Sequence, residues 1–443
     1  MSDPLAGLPP LLAERRRPLV ARLAHALGLA HLALAEDAVQ VACLRALERW
    51  PVDGVPAQAA AWLYRVAWHH AIDQLRHDRR HEPWPDDDSG ELAWPAGCAG
   101  GPAAVEPARG RLQGELDDDE LALLFAACHP QLPPTTQVAL ALRALAGLEL
   151  AAIAPALFCS EAALAQRLAR ARRLLAGEML AVPAGMELAR RRESVLTALF
   201  VMFHSGQQAA GRSTCEAAGG QTPADPEKRA QGLALCWEAI RLARALAAHG
   251  SSSHADADAL AATLLLHGAR LSGRFDDAGD IVPLPGQPRD RWDQGMVRLG
   301  LRHLQAAQRA GRLSRWHLLA GIAAEHATAP DHDRTDWPAV VRWYEWLLRI
   351  DPSPAPRLGH AIALAEAGSP QQALALLEQL EPALPAALRA HLRAAQARAL
   401  QRLGQLEPAC RCLDAAIACA PSAADARLLA RRRLSLHAAA AAS

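Results

Sequence analysis

The sequence has few aromatic residues and no long apolar run. Phe, Tyr and Trp make up 4% of its 443 residues, although 51% of the chain is hydrophobic, with Ala and Leu dominant. No segment shows the alternating β-branched residues of a strand, which excludes a sheet-based fold and predicts helices throughout. No segment approaches the ~20 apolar residues that span a membrane, and the N-terminus has no signal-peptide core. We therefore expect a cytoplasmic protein without a membrane span.

The chain also lacks an excess of charge of either sign. It has 47 Lys and Arg against 47 Asp and Glu, which argues against a bulk polyanion binder. Lys228 is the single lysine, so arginine supplies nearly all of the positive charge. The nine cysteines have no paired metal-binding spacing. Cys410 and Cys412 lie in a predicted helix where small apolar residues are favoured, so we expect no metal.

Motifs for catalysis are absent as well. There is no H-E-x-x-H pair, no glycine-rich phosphate loop and no nucleophile elbow, so we expect neither enzymatic activity nor a cofactor. Asp276, Asp277 and Asp280 depart from the spacing of a calcium-binding loop and are expected to form an acidic turn. His267 and His326 lie singly on apolar helices, and we expect them to be core histidines with satisfied hydrogen bonds.

The chain does have a helical segment with aromatic and cationic residues on one face. Within residues 35–80, the second of two predicted helices repeats such residues at steps of three and four: Trp62, Arg65, His69, Asp73, Arg76 and Arg80. Rings stack on unpaired bases and guanidinium groups meet phosphates, so this face suits nucleic acid. The alternative is a solvated helix face with one stray Trp.

A second segment, residues 135–176, predicts two short helices around a turn at residues 158–160. The first helix has an inward stripe of Leu150, Ile153 and Leu157, and Ser160 is the expected N-cap of the second. The second helix has its own inward stripe, formed by Leu164, Leu168, Ala171 and Leu175. Its outward face is largely polar and basic: Ala163, Gln166, Arg167, Arg170 and Arg173. This pattern is typical of a helix-turn-helix, although an ordinary helical hairpin is the alternative.

The stretch between the two segments is acidic and rich in Pro and Gly. Residues 81–110 contain one arginine, Arg109, and six carboxylates: Glu82, Asp86, Asp87, Asp88, Glu91 and Glu106. Such a stretch buries little surface and predicts a flexible linker. Its charge would suit mimicry of nucleic acid in a basic channel, and the alternative is a merely soluble tether.

Together these segments resemble the DNA-binding domains of RNA polymerase sigma factors of the extracytoplasmic-function (ECF) type. Residues 35–51 (AEDAVQ…ALERWP) and 60–76 (AAWLYRVAWHHAIDQLR) are similar to the region that binds the polymerase clamp and the −10 element. Residues 147–173 (GLELAAIAPALFCSEAALAQRLARARR) are similar to the region that reads the −35 element. One subgroup adds a tetratricopeptide-like extension, which LLLHGARLSGRFDDAGDIVPLPGQPRDRWD and TDWPAVVRWYEWLLRIDPSP resemble.

The resemblance implies an all-α chain in four parts. Residues 11–82 would bind core polymerase and the −10 element, and residues 83–114 would be the linker. Residues 115–181 would form the helix-turn-helix domain that binds the −35 element. Residues 186–438 would form a helical, tetratricopeptide-like regulatory domain.

The same resemblance assigns roles to single residues. The helix that docks on core polymerase would present Asp37, Gln40, Arg45 and Glu48. The −10 strand would be contacted by Trp62, Arg65, His69 and Arg76. The −35 element would be contacted by Gln166, Arg167, Arg170 and Arg173, since an Arg bidentate to guanine contributes about 1–3 kcal/mol of discrimination.

Three positions depart from the family's pattern. His69, with Trp68 before it, replaces an Arg-Asn pair tied to base selection, which predicts an altered sequence preference. Cys43 replaces a bulky aromatic residue of the clamp-binding helix. Pro155 lies inside the first helix of the helix-turn-helix, where a proline costs about 3 kcal/mol outside the first turn. That helix is therefore expected to begin near Ala151 or Ala152, or to kink, and −35 recognition to be weakened.

The C-terminal half carries a partial repeat signal. Gly404, Ala409, Ala416 and Pro421 have the spacing of the second half of a tetratricopeptide repeat, and Gly368 with Ala373 begins a second, partial copy. Ordinary helical hairpins also place alanine in this way. We interpret the region as an interaction module that regulates the preceding domains.

Three functional hypotheses follow. The first is a sigma factor whose partners are core RNA polymerase and promoter DNA, with an intramolecular contact between the C-terminal and sigma domains. The second is a stand-alone helix-turn-helix regulator with a helical sensor domain, which would have no use for a clamp-binding helix. The third is a tetratricopeptide adaptor with vestigial DNA-binding parts.

Overall fold

A computed structural model describes residues 8–28, 31–81, 112–157, 159–175, 183, 185–212, 226–249, 254–276 and 280–441. The chain divides into two compact units, Met1–Ala198 and Leu199–Ser443. The described residues contain no strand, only an isolated bridge between Phe275 and Ile281, so the all-α prediction is confirmed. None of the described helices is both long and apolar enough to cross a membrane.

The first unit contains seven helices that are described from end to end and the beginning of an eighth. In chain order the seven are α1 (Leu8–Leu27), α2 (Leu32–Asp53), α3 (Ala59–His81), α4 (Leu112–Ala127), α5 (Pro134–Ala146), α6 (Leu150–Ala156) and α7 (Glu161–Leu174). The eighth, α8 (Gly185–Arg212), continues into the second unit. The expected linker, residues 83–114, lies outside the described residues except for 112–114, which form the first turn of α4.

The core of the first unit is centred on α4. Residues 121–127 of α4, and Cys128 directly after it, are all buried. A helix is buried on every side when other helices pack all around it. Helix α1 packs against α2, α4 and α5, so one unit contains both predicted DNA-reading segments. Glu36 of α2 forms an ion pair with Arg143 of α5, with Oε2 and Nη2 2.9 Å apart.

The second unit is a succession of paired helices after α8. They are α9 (Pro226–Ala248), α10 (Ala255–Gly268), α11 (Gln294–Gln308), α12 (Arg315–Thr328), α13 (Trp337–Ile350), α14 (Pro354–Glu366), α15 (Pro370–Leu380), α16 (Arg389–Arg402), α17 (Leu406–Ala418) and α18 (Ala423–Ala441). Gly368 and Gly404 have positive φ angles of 91° and 73° where α14 turns into α15 and α16 into α17. Ala373, Ala409 and Ala416 are fully buried in these pairs.

Two expectations for the second unit have different outcomes. The acidic turn is present for Asp276 and Asp280, because the Asp280 amide donates to Asp276 Oδ1 at 2.8 Å; Asp277 lies outside the described residues. The expectation of satisfied core histidines is wrong for His326, because its Nδ1 is buried without a hydrogen-bond partner in the described part of the chain. The His267 ring lies 6.0 Å from that of His204.

Candidate nucleic-acid interface

One face of α3 is polar, as its periodicity predicts. Leu63, Ala67 and Ala71 are buried, and on the opposite side the exposed residues are Arg65, His69, Asp73 and Arg76. Asp73 and Arg76 lie 4.0 Å apart and are both largely exposed, so their pairing leaves Arg76 available to a phosphate. The side chain of Arg80 lies outside the described residues.

Trp62 is less available than the sequence predicts. Its ring is half-buried and packs against Trp50 of α2, with centroids 5.4 Å apart and planes tilted by 60°. This contact fixes α2 against α3 and orients the Trp62 ring. A base could reach only the part of the ring that Trp50 leaves uncovered.

A second aromatic pair on α3 was missed in the sequence. Tyr64 and Trp68 stack with centroids 6.2 Å apart and planes 22° apart, and both are half-exposed. The Arg22 guanidinium of α1 lies over the Tyr64 ring at 4.8 Å. The signal was present as an i, i+4 aromatic spacing, and it adds a second stacking surface next to Arg65 and His69.

The outer face of α2 is both polar and apolar. All four residues expected to dock on polymerase are exposed: Asp37, Gln40, Arg45 and Glu48. Leu44 and Leu47, which the sequence did not single out, are also exposed, at 52% and 43%. The buried side of α2 is largely alanine and valine, so these two leucines form no part of the core. Apolar side chains exposed on a polar helix face mark a surface for a protein partner.

Helices α6 and α7 form the predicted helix-turn-helix pair. The Ser160 side chain caps α7 by accepting from the Ala163 amide at 3.3 Å, as predicted. Ile153, Leu164, Leu168 and Ala171 are buried, while Leu150 and Leu157 are only half-buried. The exposed residues on the other side of α7 are Gln166, Arg170 and Arg173, and Arg167 is half-buried.

Pro155 acts differently from the two expected alternatives. Helix α6 begins at Leu150, not later, and ends at Ala156, one residue after the proline. The Leu157 and Cys159 amides both bond back to Ala154, at 3.2 and 3.1 Å, which closes the helix in a tight turn. Because Pro155 lies in the last turn, its missing N–H removes one hydrogen bond from a helix of seven residues.

A cleft of about 510 Å³ separates α7 from the start of α5. Arg167 and Arg170 line one side, and Gln131, Thr135 and Thr136 line the other. Gln137 holds the turn before α5 by donating to the carbonyls of His129 and Leu132 at 2.9 and 2.8 Å. A helix N-terminus facing two guanidinium groups suits a phosphate, which extends the basic surface of α7.

In the described parts of the chain, no group of three or more His, Cys, Asp or Glu side chains is placed to hold a metal ion. Burial raises the pKa of Cys43 on α2, which makes its thiol less reactive.

Three family models match separate parts of the chain. Residues 12–81 match sigma-70 region 2, residues 122–175 match sigma-70 region 4, and residues 191–308 match a family of unknown function, DUF6596. An uncharacterized protein of Rhizobium meliloti (strain 1021) is 35% identical over 407 residues, which cover 89% of this chain and 88% of that protein. The first match covers most of α1 and all of α2 and α3, and the second covers the end of α4 and all of α5–α7, so the two include the helices that carry the faces described above.

Proposed function

Because this chain belongs to the sigma-70 family as an ECF-like RNA polymerase sigma factor, we propose that α2, α3 and α7 carry its contacts in promoter recognition. The function is transcription initiation, and core RNA polymerase and promoter DNA are the partners that the two sigma regions imply. Sigma factor families are not enzymes, and the chemistry belongs to the polymerase. A protein with these partners works in the cytoplasm.

We assign polymerase docking to the outer face of α2. The exposed Leu44 and Leu47 supply the apolar centre of this face, and Asp37, Gln40 and Glu48 surround it with polar groups. Burying the exposed half of two leucines contributes about 2 kcal/mol. This apolar surface is the observation that carries the proposal, since a regulator that binds DNA alone would not need it.

We assign contact with the −10 element to α3. Arg65 and Arg76 would bind phosphates, and His69 would hydrogen-bond a base, because imidazole both donates and accepts. The half-exposed rings of Tyr64 and Trp68 provide stacking surfaces beside them, and Trp62 contributes only its uncovered edge.

We assign contact with the −35 element to α7. Gln166, Arg170 and Arg173 project from its exposed face into the major groove in this proposal. Arg167, at the wall of the cleft, would bind the neighbouring phosphate together with the N-terminus of α5.

We assign regulation to the helices after α8, as a tetratricopeptide-like domain that contacts the sigma domains. Two observations support this assignment: positive-φ glycines divide the pairs α14–α15 and α16–α17, and the alanines of the repeat spacing are buried between helices. Paired helices of this kind stack into surfaces that bind peptides or neighbouring domains.

The test is binding of the full-length protein to core RNA polymerase. We expect Leu44→Ser with Leu47→Ser to weaken binding about thirtyfold, because about 2 kcal/mol of apolar burial is lost. Co-elution on a sizing column and titration of a labelled chain measure this change. The matched control is Leu434→Ser, which removes a 65% exposed leucine from α18. Unchanged binding by the double variant, or an equal loss in the control, would reject α2 as the docking face.

A further inference from the structure

The second unit contains three arginines with buried guanidinium nitrogens that have no hydrogen-bond partner among the described residues. Arg270 follows α10, and Arg274 and Arg289 lie in the loop that leads to α11. The Nε atoms of Arg270 and Arg274 and all three guanidinium nitrogens of Arg289 are buried without a hydrogen-bond partner among the described residues. We call these three residues the arginine cluster.

The members of the arginine cluster lie close enough to repel one another. Burial, followed by the charges of Arg274 and Arg289, lowers the pKa of Arg270 to about 9. The charges of Arg270 and Arg289 also act on His326, and together with burial, the larger cause, they lower its pKa to about 4. Its Nδ1 is likewise buried and unpartnered. Buried donors without partners from four side chains therefore lie in one region of the second unit.

The carboxylates whose charges act on the cluster have other partners. Asp425, whose charge acts on Arg274, accepts from Ser422 Oγ at 2.6 Å. Asp280, in the same loop, pairs with Arg427 of α18 at 2.9 Å. Asp331, whose charge acts on Arg289, lies 3.4 Å from Arg334. Across the described ranges, no carboxylate forms an ion pair with any member of the arginine cluster.

The loop fixes the cluster in position. The Asp293 amide donates to the Ala269 carbonyl and the Val282 amide donates to the Arg274 carbonyl, each at 2.8 Å. Ser272 Oγ donates to the Arg291 carbonyl at 3.0 Å. The Arg289 guanidinium lies over the Trp292 ring at 4.0 Å, which orients its plane. The donors are thus held in place before any ligand arrives.

An unpaired buried charge is costly, by several kcal/mol per ion, unless a counter-charge accepts its hydrogen bonds. Guanidinium groups match the oxygens of phosphate and carboxylate in bidentate geometry. Five unpartnered guanidinium nitrogens from three side chains exceed what one two-oxygen carboxylate accommodates, whereas a phosphoryl group offers three oxygens and up to two charges. We propose that Arg270, Arg274 and Arg289, with His326 as a further donor, form a binding site for the phosphoryl group of a small molecule.

This site is separate from the sigma-factor function, and its test uses the full-length protein with inorganic phosphate as the probe. At constant ionic strength, phosphate is expected to bind saturably by calorimetry and to raise Tm more than chloride does. Arg270→Gln and Arg289→Gln are each expected to weaken phosphate binding at least tenfold. Arg298→Gln removes an exposed arginine of α11 and is expected to bind as the natural protein does.

A thermal crossover distinguishes a ligand site from a structural role. In phosphate-free buffer, Arg270→Gln is expected to raise Tm because it removes an unpaired buried charge, and in saturating phosphate its Tm is expected to fall below that of the natural protein. Arg289→Lys keeps the positive charge but loses the planar, bidentate donors of the guanidinium group. This variant is expected to fold normally and bind phosphate weakly. Equal effects of chloride and phosphate, undiminished binding by both Gln variants, or saturable binding of succinate without phosphate would overturn the proposal.

Discussion

At the residue scale, Glu366 at the end of α14 illustrates how charge holds two helix pairs together. Its carboxylate accepts from Arg398 at 2.6 and 3.1 Å and pairs with Arg402, both on α16. The side chain is only 5% exposed. Burial alone would raise the pKa of Glu366, but the hydrogen bonds and charges of its cationic neighbours outweigh burial and hold that pKa well below its usual range.

The pH dependence of stability follows from that lowered pKa. The stabilisation by Glu366 is fully present above its unfolded pKa, near 4.5, and is lost as pH falls from there toward the folded value. We expect Glu366→Gln to lower the free energy of unfolding by about 2 kcal/mol at pH 7, measured by urea denaturation. The difference should shrink below pH 4.5. The control is Glu378→Gln, at an exposed position of α15, and an equal loss there would contradict the assignment.

The sequence predicted local features of single residues better than long-range ones. The Ser160 cap and the exposure of Arg65, His69 and Arg170 depend on neighbours within one or two helical turns, so periodicity was sufficient. The contact of Trp62 with Trp50 joins two helices, and the sequence missed it for that reason. The arginine cluster was missed because its members come from separate parts of a folded loop and meet His326 of α12.

At the scale of elements, α6 shows how one proline limits a short helix. Pro155→Ala is expected to restore the hydrogen bond to the residue 151 carbonyl and to raise the free energy of unfolding by about 1–2 kcal/mol. We expect tighter binding of −35 duplex DNA as well, since α6 supports α7. Fluorescence anisotropy and urea denaturation measure the two effects.

The control for α6 is a proline that removes no helical hydrogen bond. Pro354 is the first residue of α14, where its missing N–H is not needed. Pro354→Ala should leave DNA binding and stability nearly unchanged. A gain in both variants would mean that the effect belongs to the unfolded chain, and no gain from Pro155→Ala would show that α6 is not limited by its proline.

At the scale of the whole molecule, the Glu36 carboxylate is the group on which the charges of several helices of the first unit act. Glu36 of α2 is 15% exposed and feels the charges of Arg143 on α5, Arg172 on α7 and Arg16 on α1. Burial nevertheless dominates and raises the pKa of Glu36. The charged pair is therefore a weak bond between these helices, because desolvation exceeds the attraction.

Acid should strengthen this packing. A carboxyl whose pKa is raised in the packed state stabilises that state as pH falls through the raised pKa toward 4.5. With labels on the exposed positions 74 of α3 and 165 of α7, we expect energy transfer to increase as pH falls from 7 toward 4.5. Glu36→Gln is expected to remove that pH dependence, whereas Asp37→Asn, one residue away and exposed, should preserve it. A pH response that survives Glu36→Gln would assign it to another group.

Because α1 packs against α4 and α5, the two predicted DNA-reading segments lie in one compact unit, although the promoter elements that they would bind are far apart. The −10 and −35 elements lie about 25 base pairs apart, or about 85 Å along B-form DNA. Helix α2 is joined to α5 by the Glu36–Arg143 ion pair and α5 packs against α7, so these helices cannot lie that far apart while they remain in contact. Thirty residues, 82–111, join α3 to α4. A chain of that length can reach at most about 100 Å, which exceeds the distance between the two promoter elements. If α3 and α7 bind the two promoter elements as proposed, they must move apart on promoter DNA, and the free energy of loading then includes undocking α1 from α4 and α5 as well as binding DNA.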